Sequence, residues 1–159
     1  LAYLATRPDV DAARVGVIGF SMGANAILYA LPQTEAIGAA IAVQPTTAAT
    51  YAERYAHDLL GPADRVVLPL VEMAYASFSG VSLGGLQPSF AAAGAGETPV
   101  LFIQAKADHW GLPADAERLR SATPNGEGPL YVDGEHRYQG FQYLIENPRM
   151  AVTYFERYF

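Results

Sequence analysis

One stretch restricts the fold of this chain more than any other: Arg14-Val15-Gly16-Val17-Ile18-Gly19-Phe20-Ser21-Met22-Gly23-Ala24-Asn25-Ala26-Ile27. The apolar, β-branched run from Val15 to Phe20 predicts a buried strand, and the Ala/Ile/Leu segment from Ala24 to Leu31 predicts a short helix stopped by Pro32. Period 2 gives way to period 3.6 at Ser21. Glycine at 19 and 23 removes side chains that are expected to collide where strand and helix meet at a tight angle. Ser21 is thereby forced into a strained backbone conformation with its hydroxyl pushed outward. The helix that starts beside it offers the Met22 backbone N–H to negative charge developing on an oxygen.

A chain of 159 residues fits one domain, and 51% apolar residues with only 16% charged ones suit a packed core. The net charge of −6 argues against a phosphate-backbone binder, so no nucleic-acid partner is expected. Every apolar run is broken by Gly, Pro or charge before it reaches bilayer length, so no membrane span is expected either. Cysteine is absent, which excludes a disulfide framework and a thiolate nucleophile. The opening Leu1-Ala2-Tyr3-Leu4-Ala5 reads as the tail of a helix already under way, and the chain is expected to be part of something longer.

Beyond the first helix, residues 36–43 predict a second buried strand ending at Gln44-Pro45, although the alanines keep helix open as an alternative. Tyr51, Tyr55, Leu59 and Leu60 fall at helical spacing before Gly61-Pro62. Val66, Val67, Leu70, Val71, Ala74 and Phe78 form a second helical stripe, which Pro69 should kink or begin. The span 46–96 is too long for a bare loop, so two helices forming a lid over a pocket are expected, as an insertion within a single domain 1–159. Pro99 to Ala105 predicts a third strand with Asp108 just past its end, and Ala114 to Ala122 a helix. Pro129 to Asp133 predicts a short fourth strand, followed by the loop 134–137. Asn147-Pro148 opens a closing amphipathic helix through Met150, Val152, Tyr154, Phe155 and Tyr158. This alternation implies an α/β fold, a parallel sheet with helices on both faces.

In a parallel sheet the loops that follow the strands gather on one edge. Ser21 follows the first strand, Asp108 the third and His136 the fourth, so all three are expected on one rim. The roles follow from their chemistry. Ser21 attacks a carbonyl, His136 takes its proton and returns it to the leaving group, and Asp108 orients the imidazole and stabilises its cation.

With these residues in place, the chain resembles the C-terminal half of an α/β-hydrolase of the dienelactone-hydrolase and prolyl-oligopeptidase-like kind. The resemblance rests on residues 11–23 around Ser21, on Thr98 to Ile103 leading to Asp108 and Pro113, and on the His136 loop. It implies a serine hydrolase acting on a small carboxylic ester, with no cofactor. The chain departs from that pattern in having Gln104-Ala105 where such proteins often have His-Gly, a change expected to alter loop packing rather than chemistry. The strands that precede the elbow in such enzymes are also missing, and with them the loop that donates a second oxyanion N–H. Losing one such donor costs roughly 2.7–4 kcal/mol in the transition state, so these residues alone are expected to be a poor enzyme. The exposed first-strand edge is expected to pack against the missing N-terminal half or another chain.

Competing residues carry weaker arguments. Gly80-Val81-Ser82-Leu83-Gly84 repeats the G-x-S-x-G pattern, but no helix follows Ser82 to supply an oxyanion donor. His57 is expected on a helix surface, and His109 beside Trp110, packing or touching substrate. Asp133 and Glu135 lie too near His136 in the chain to reach its far nitrogen comfortably. Some hydrolases carry the acid after the preceding strand, but that position here is Gln44-Pro45. Phe20 and Trp110 are candidate substrate contacts, and Tyr51, Tyr55, Tyr75 and Phe78 either line an acyl pocket or serve as ordinary core. No metal-ligand spacing is present. A peptidase with the same triad, with Glu53 or Glu72 holding an N-terminal amine, and a non-catalytic binding module are the alternatives.

Overall fold

The computed structural model describes residues 1–134 and 138–159. A short helix α1 (Ala2–Ala5) leads into β1 (Gly16–Phe20), α2 (Met22–Ala30), β2 (Ala39–Val43), α3 (Ala48–Leu60), α4 (Asp64–Ser79) and α5 (Pro88–Ala92). β3 (Val100–Ala105), α6 (Pro113–Ala122), β4 (Gly126–Val132), α7 (Gln139–Glu146) and α8 (Pro148–Glu156) complete the chain. The four strands form one parallel sheet in the order β1-β2-β3-β4. All five residues of β2 are buried, as befits a strand covered on both faces.

Side-chain alternation divides the core into two layers. Ala40, Ala42, Val100 and Phe102 face α2, α5 and α6 through Ala24, Leu28, Ala92 and Leu119. Ala39, Ile41, Val43 and Ile103 face α7 and α8 through Leu144, Ala151 and Tyr154. The expected parallel sheet with helices on both faces is therefore observed. Its central strands carry small Ala residues where helices approach and Ile, Phe or Val where volume must be filled.

Several local expectations are corrected. β2 starts at Ala39 rather than residue 36, because Thr34 and Ala36 close an Asx-like turn in which the Ala36 N–H donates to Thr34 Oγ1 at 3.1 Å. β4 begins at Gly126, ahead of Pro129. A register irregularity between Leu101 and Ile103 takes up Gly128 and Pro129, and an edge strand tolerates the missing proline N–H. Pro69 does not mark the start of α4, which begins at Asp64. It lies inside the helix, and both Pro69 and Arg65, one turn before it, are exposed. Helix α7 is additional to the elements expected from the sequence: Gln139–Glu146 closely follows a loop and ends at Asn147-Pro148, where α8 begins.

Between β2 and β3 the chain forms the two expected helices, α3 and α4, and a short third, α5. α4 turns Asp64, Leu68, Glu72 and Ala76 toward the rest of the chain and leaves Val66, Leu70, Met73 and Phe78 exposed. Among the described residues no single helix is long and apolar enough to cross a membrane.

Candidate active site

Ser21 sits where β1 ends. Its N–H donates to the Val43 carbonyl at 2.9 Å, so pairing with β2 continues up to the turn, and its backbone then adopts φ 53°, ψ −113°. That left-handed φ is rare for a residue with a side chain and stores strain. Ser21 also occupies the N-cap of α2, and its carbonyl accepts the first helical bond from the Asn25 N–H at 3.2 Å. Helix geometry leaves the Met22 N–H without an intrahelical acceptor, at the positive end of the helix dipole.

Gly19 is required by contact, since a Cβ there would clash with the Gly23 carbonyl and with the Ala24 nitrogen. Gly23 differs from expectation: a Cβ at that position would meet nothing within 4 Å among the described residues. The collision lies on one side of the turn only.

Asp108, beyond β3, reaches the same sheet edge and is buried. One carboxylate oxygen, Oδ1, accepts from the Trp110 and Gly111 N–H groups at 2.9 and 3.1 Å. The other, Oδ2, accepts from Gln44 Nε2 at 2.6 Å. Gln104 supports the loop from below, donating through Nε2 to the Gly111 carbonyl at 3.0 Å. The Gln104-Ala105 departure is thus built into the packing of the Asp108 loop.

His136 lies outside the described residues, as does Glu135. His109 stands on the surface with Nε2 2.8 Å from Asp58 Oδ2 on α3, and His57 Nδ1 is 2.9 Å from Asp64 Oδ2. Asp133 pairs with Lys106 at 2.8 Å in the open. Ser82 caps the turn at Leu83–Gly85, its Oγ accepting from the Gly85 N–H at 3.0 Å. Among the described residues, no three acidic or histidine side chains group as metal ligands.

A cavity of about 410 Å³ opens beside Ser21, walled by Met22, Asn25, Thr46, Thr47, Tyr51 and Leu83 among others. None of its lining residues carries a charge. Tyr51 is the member of the aromatic set that reaches it. Trp110 packs on Tyr51 and Tyr55 with ring centroids 5.2 and 5.7 Å apart, behind that wall, while Tyr75 and Phe78 are exposed. Phe20 lies against Phe141, 5.4 Å between centroids. A larger cavity of about 780 Å³, lined by Leu31 to Glu35, Ile37, Gly38 and Gly94 to Thr98, lies at the opposite edge of the sheet, before β2 and β3.

Two structural residues escaped the reading of the sequence. Asn25 donates through Nδ2 to the Thr46 carbonyl, tying α2 to the segment after β2. Gln44 bridges Asp108 and α7, its Oε1 accepting from the Gly140 N–H at 3.0 Å. The signal for Gln44 was its place at the end of a strand, where some hydrolases carry the acid.

A strained serine at a strand-to-helix turn, above a parallel sheet with a buried carboxylate two strands away, defines the α/β-hydrolase fold. The dienelactone hydrolase family model matches residues 1–133, and the chain belongs to that family. Among solved structures it is similar to an esterase of Pyrococcus furiosus (23% identity, TM-score 0.65, covering 99% of this chain and 58% of that one). It is also similar to a puromycin-hydrolyzing peptidase of Mycobacterium tuberculosis (22%, 0.70, 99% and 24%). An acetyl xylan esterase from Paenibacillus sp. R4 is a third (16%, 0.69, 99% and 49%). The chain thus spans little more than half of the first of these and a quarter of the second. No curated protein matches it by sequence.

Proposed function

We propose that this chain carries the nucleophile and the acid of a serine hydrolase that cleaves a carboxylic ester with an uncharged acyl group. The observation that carries the reading is Ser21 at φ 53°, capping α2 and opening onto an uncharged cavity. Ser21 Oγ attacks the ester carbonyl while its proton passes to the His136 imidazole. The carbonyl oxygen, now an anion, accepts a hydrogen bond from the Met22 N–H. Collapse of the tetrahedral species breaks the bond to the alcohol oxygen, which leaves with the proton held by His136. Water, deprotonated by His136, then attacks the acyl-serine, and the carboxylic acid departs as Ser21 recovers its proton. Asp108, fixed by two backbone N–H groups, orients and balances the imidazolium.

Ester is preferred to peptide because Glu53 and Glu72, the candidates for holding an N-terminal amine, do not line the cavity. The uncharged wall argues against an acyl chain ending in a carboxylate, which would be desolvated there without a cation. The segment 46–96 acts as a lid over this pocket, contributing Thr46, Thr47, Ala48, Tyr51, Ala52 and Leu83 to its wall. β1 is an edge strand with Ile18 exposed, which supports its pairing with the remainder of a longer polypeptide or another chain.

The full-length protein is expected to react with a fluorophosphonate probe at Ser21 and to turn over neutral p-nitrophenyl esters faster than aminoacyl anilides or hemisuccinate esters. Equal labelling of Ser21→Ala, or no labelling of the wild type, removes the serine-hydrolase reading of this site, and an unlabelled wild type leaves a non-catalytic module. Faster anilide turnover replaces esterase with peptidase.

A further inference from the structure

Gln44 combines features that packing alone does not require. It is 2% exposed, it follows the central strand, and it holds φ 50°, a left-handed value shared only with Ser21 among the described residues other than glycine. Its N–H still donates to the Ile103 carbonyl at 2.7 Å, so its backbone is anchored to β3. Both ends of its side-chain amide are used: Nε2 donates to Asp108 Oδ2 at 2.6 Å and Oε1 accepts from the Gly140 N–H at 3.0 Å. Space for it is reserved by glycines. A Cβ on Gly140 would sit 2.7 Å from Gln44 Oε1, and one on Gly111 would sit 3.2 Å from Asp108 Oδ2.

We propose that Gln44 is a positioning residue of the site, a neutral strut that fixes the outer oxygen of Asp108 and ties it to the first turn of α7. That helix begins two residues after the segment 135–137, so the strut couples the acid to the part of the chain that leads from His136. The inference rests on the serine-hydrolase reading given above. A neutral donor suits the place. The two backbone N–H groups hold Oδ1, and an amide on Oδ2 sets the plane of the carboxylate without the charge a lysine would bring. The polar side chains near Asp108 in the chain are engaged elsewhere, Lys106 with Asp133 and His109 with Asp58.

The test uses the full-length protein and three variants alongside wild type and Ser21→Ala. Gln44→Met keeps side-chain length and loses the hydrogen bonds to Asp108 and Gly140. Gly140→Ala keeps Gln44 and pushes its amide off station. Both are expected to lower kcat about 10–100-fold with KM within about twofold, since a misplacement of an ångström is enough for such losses. Gln44→Glu replaces the donor with a carboxyl against Asp108. While the two share a proton the introduced carboxyl donates as the amide does; above their raised joint pKa they repel. Its kcat is therefore expected to fall on a new limb as pH rises, across a range where wild type is flat. Wild-type kcat in Gly140→Ala and in Gln44→Met, with a wild-type pH profile in Gln44→Glu, overturns the strut while an inactive Ser21→Ala leaves the hydrolase reading standing. An inactive, unlabelled wild type overturns both. If Gln44→Met fails to fold, the other two variants decide.

Discussion

Gly19 and Gly23 face each other across the elbow, and only Gly19 is there for lack of room. A Cβ at 19 would press on the Gly23 carbonyl and the Ala24 nitrogen, both backbone, and neither can move without displacing the first turn of α2. Gly19→Ala is expected to cost about 1–3 kcal/mol, as overpacking typically does, and to reduce probe labelling at Ser21. Gly23→Ala meets no described atom and is expected to unfold at a clearly higher denaturant concentration than Gly19→Ala. Urea titration of both variants separates them.

Asp108 has its carboxylate oxygens committed to three donors, and an amide cannot accept on both sides. Asp108→Asn must turn its NH₂ toward either Gln44 Nε2 or the Trp110 and Gly111 N–H groups. It is expected to lose about 1–3 kcal/mol of stability through the unpaired donor, and about 10⁴-fold in kcat through the loss of imidazole orientation. Thermal unfolding and ester turnover measured on the same preparation distinguish the two effects.

The histidines make a sharper comparison. His109 is half exposed and in contact with Asp58 on α3, so His109→Ala removes a surface contact worth about 0–1 kcal/mol and is expected to keep ester turnover within about threefold of wild type. His136→Ala is expected to abolish it. If the two results are exchanged, the general base is His109 and the assignment of His136 is wrong.

β1, β2 and β3 were legible from their apolar runs, and Ser21 because strand, glycine, serine and helix follow one another within a dozen residues, whereas the first half of β4, with Gly126, Glu127 and Gly128, carries no such run. Asp108 was reached by its position after the third strand together with elimination of the other acids. What escaped was non-local or weakly patterned. Gln44 acts across 64 positions of chain to Asp108 and 96 to Gly140, and no local spacing encodes such contacts. Helix α7 hides because it is short and shares a boundary with α8. The exposed apolar stripe of α4 shows that periodicity reports a face without saying what that face meets. Gly23 was given a collision that the geometry assigns to Gly19 alone.

Tyr154 supplies a prediction about pH. It is 2% exposed beneath β2 and β3, and burial, aided by the charge of Glu127, pushes its phenol well above the ordinary value near 10. In the unfolded chain the same phenol ionises at that ordinary value. Below it both states hold the proton, and the full stability is present. Above it the unfolded chain releases a proton that the folded chain keeps, so stability falls as pH rises, by up to about 1.4 kcal/mol per pH unit for one such group. Tyr29 is shifted in the same direction by burial, so Tyr154→Phe is expected to flatten the alkaline decline without removing it. Urea midpoints of wild type and Tyr154→Phe at pH 8, 10 and 11 test this. Parallel declines would mean that Tyr154 ionises as readily in the fold as out of it, and that the α8 layer over β2 and β3 is wetter than its packing indicates.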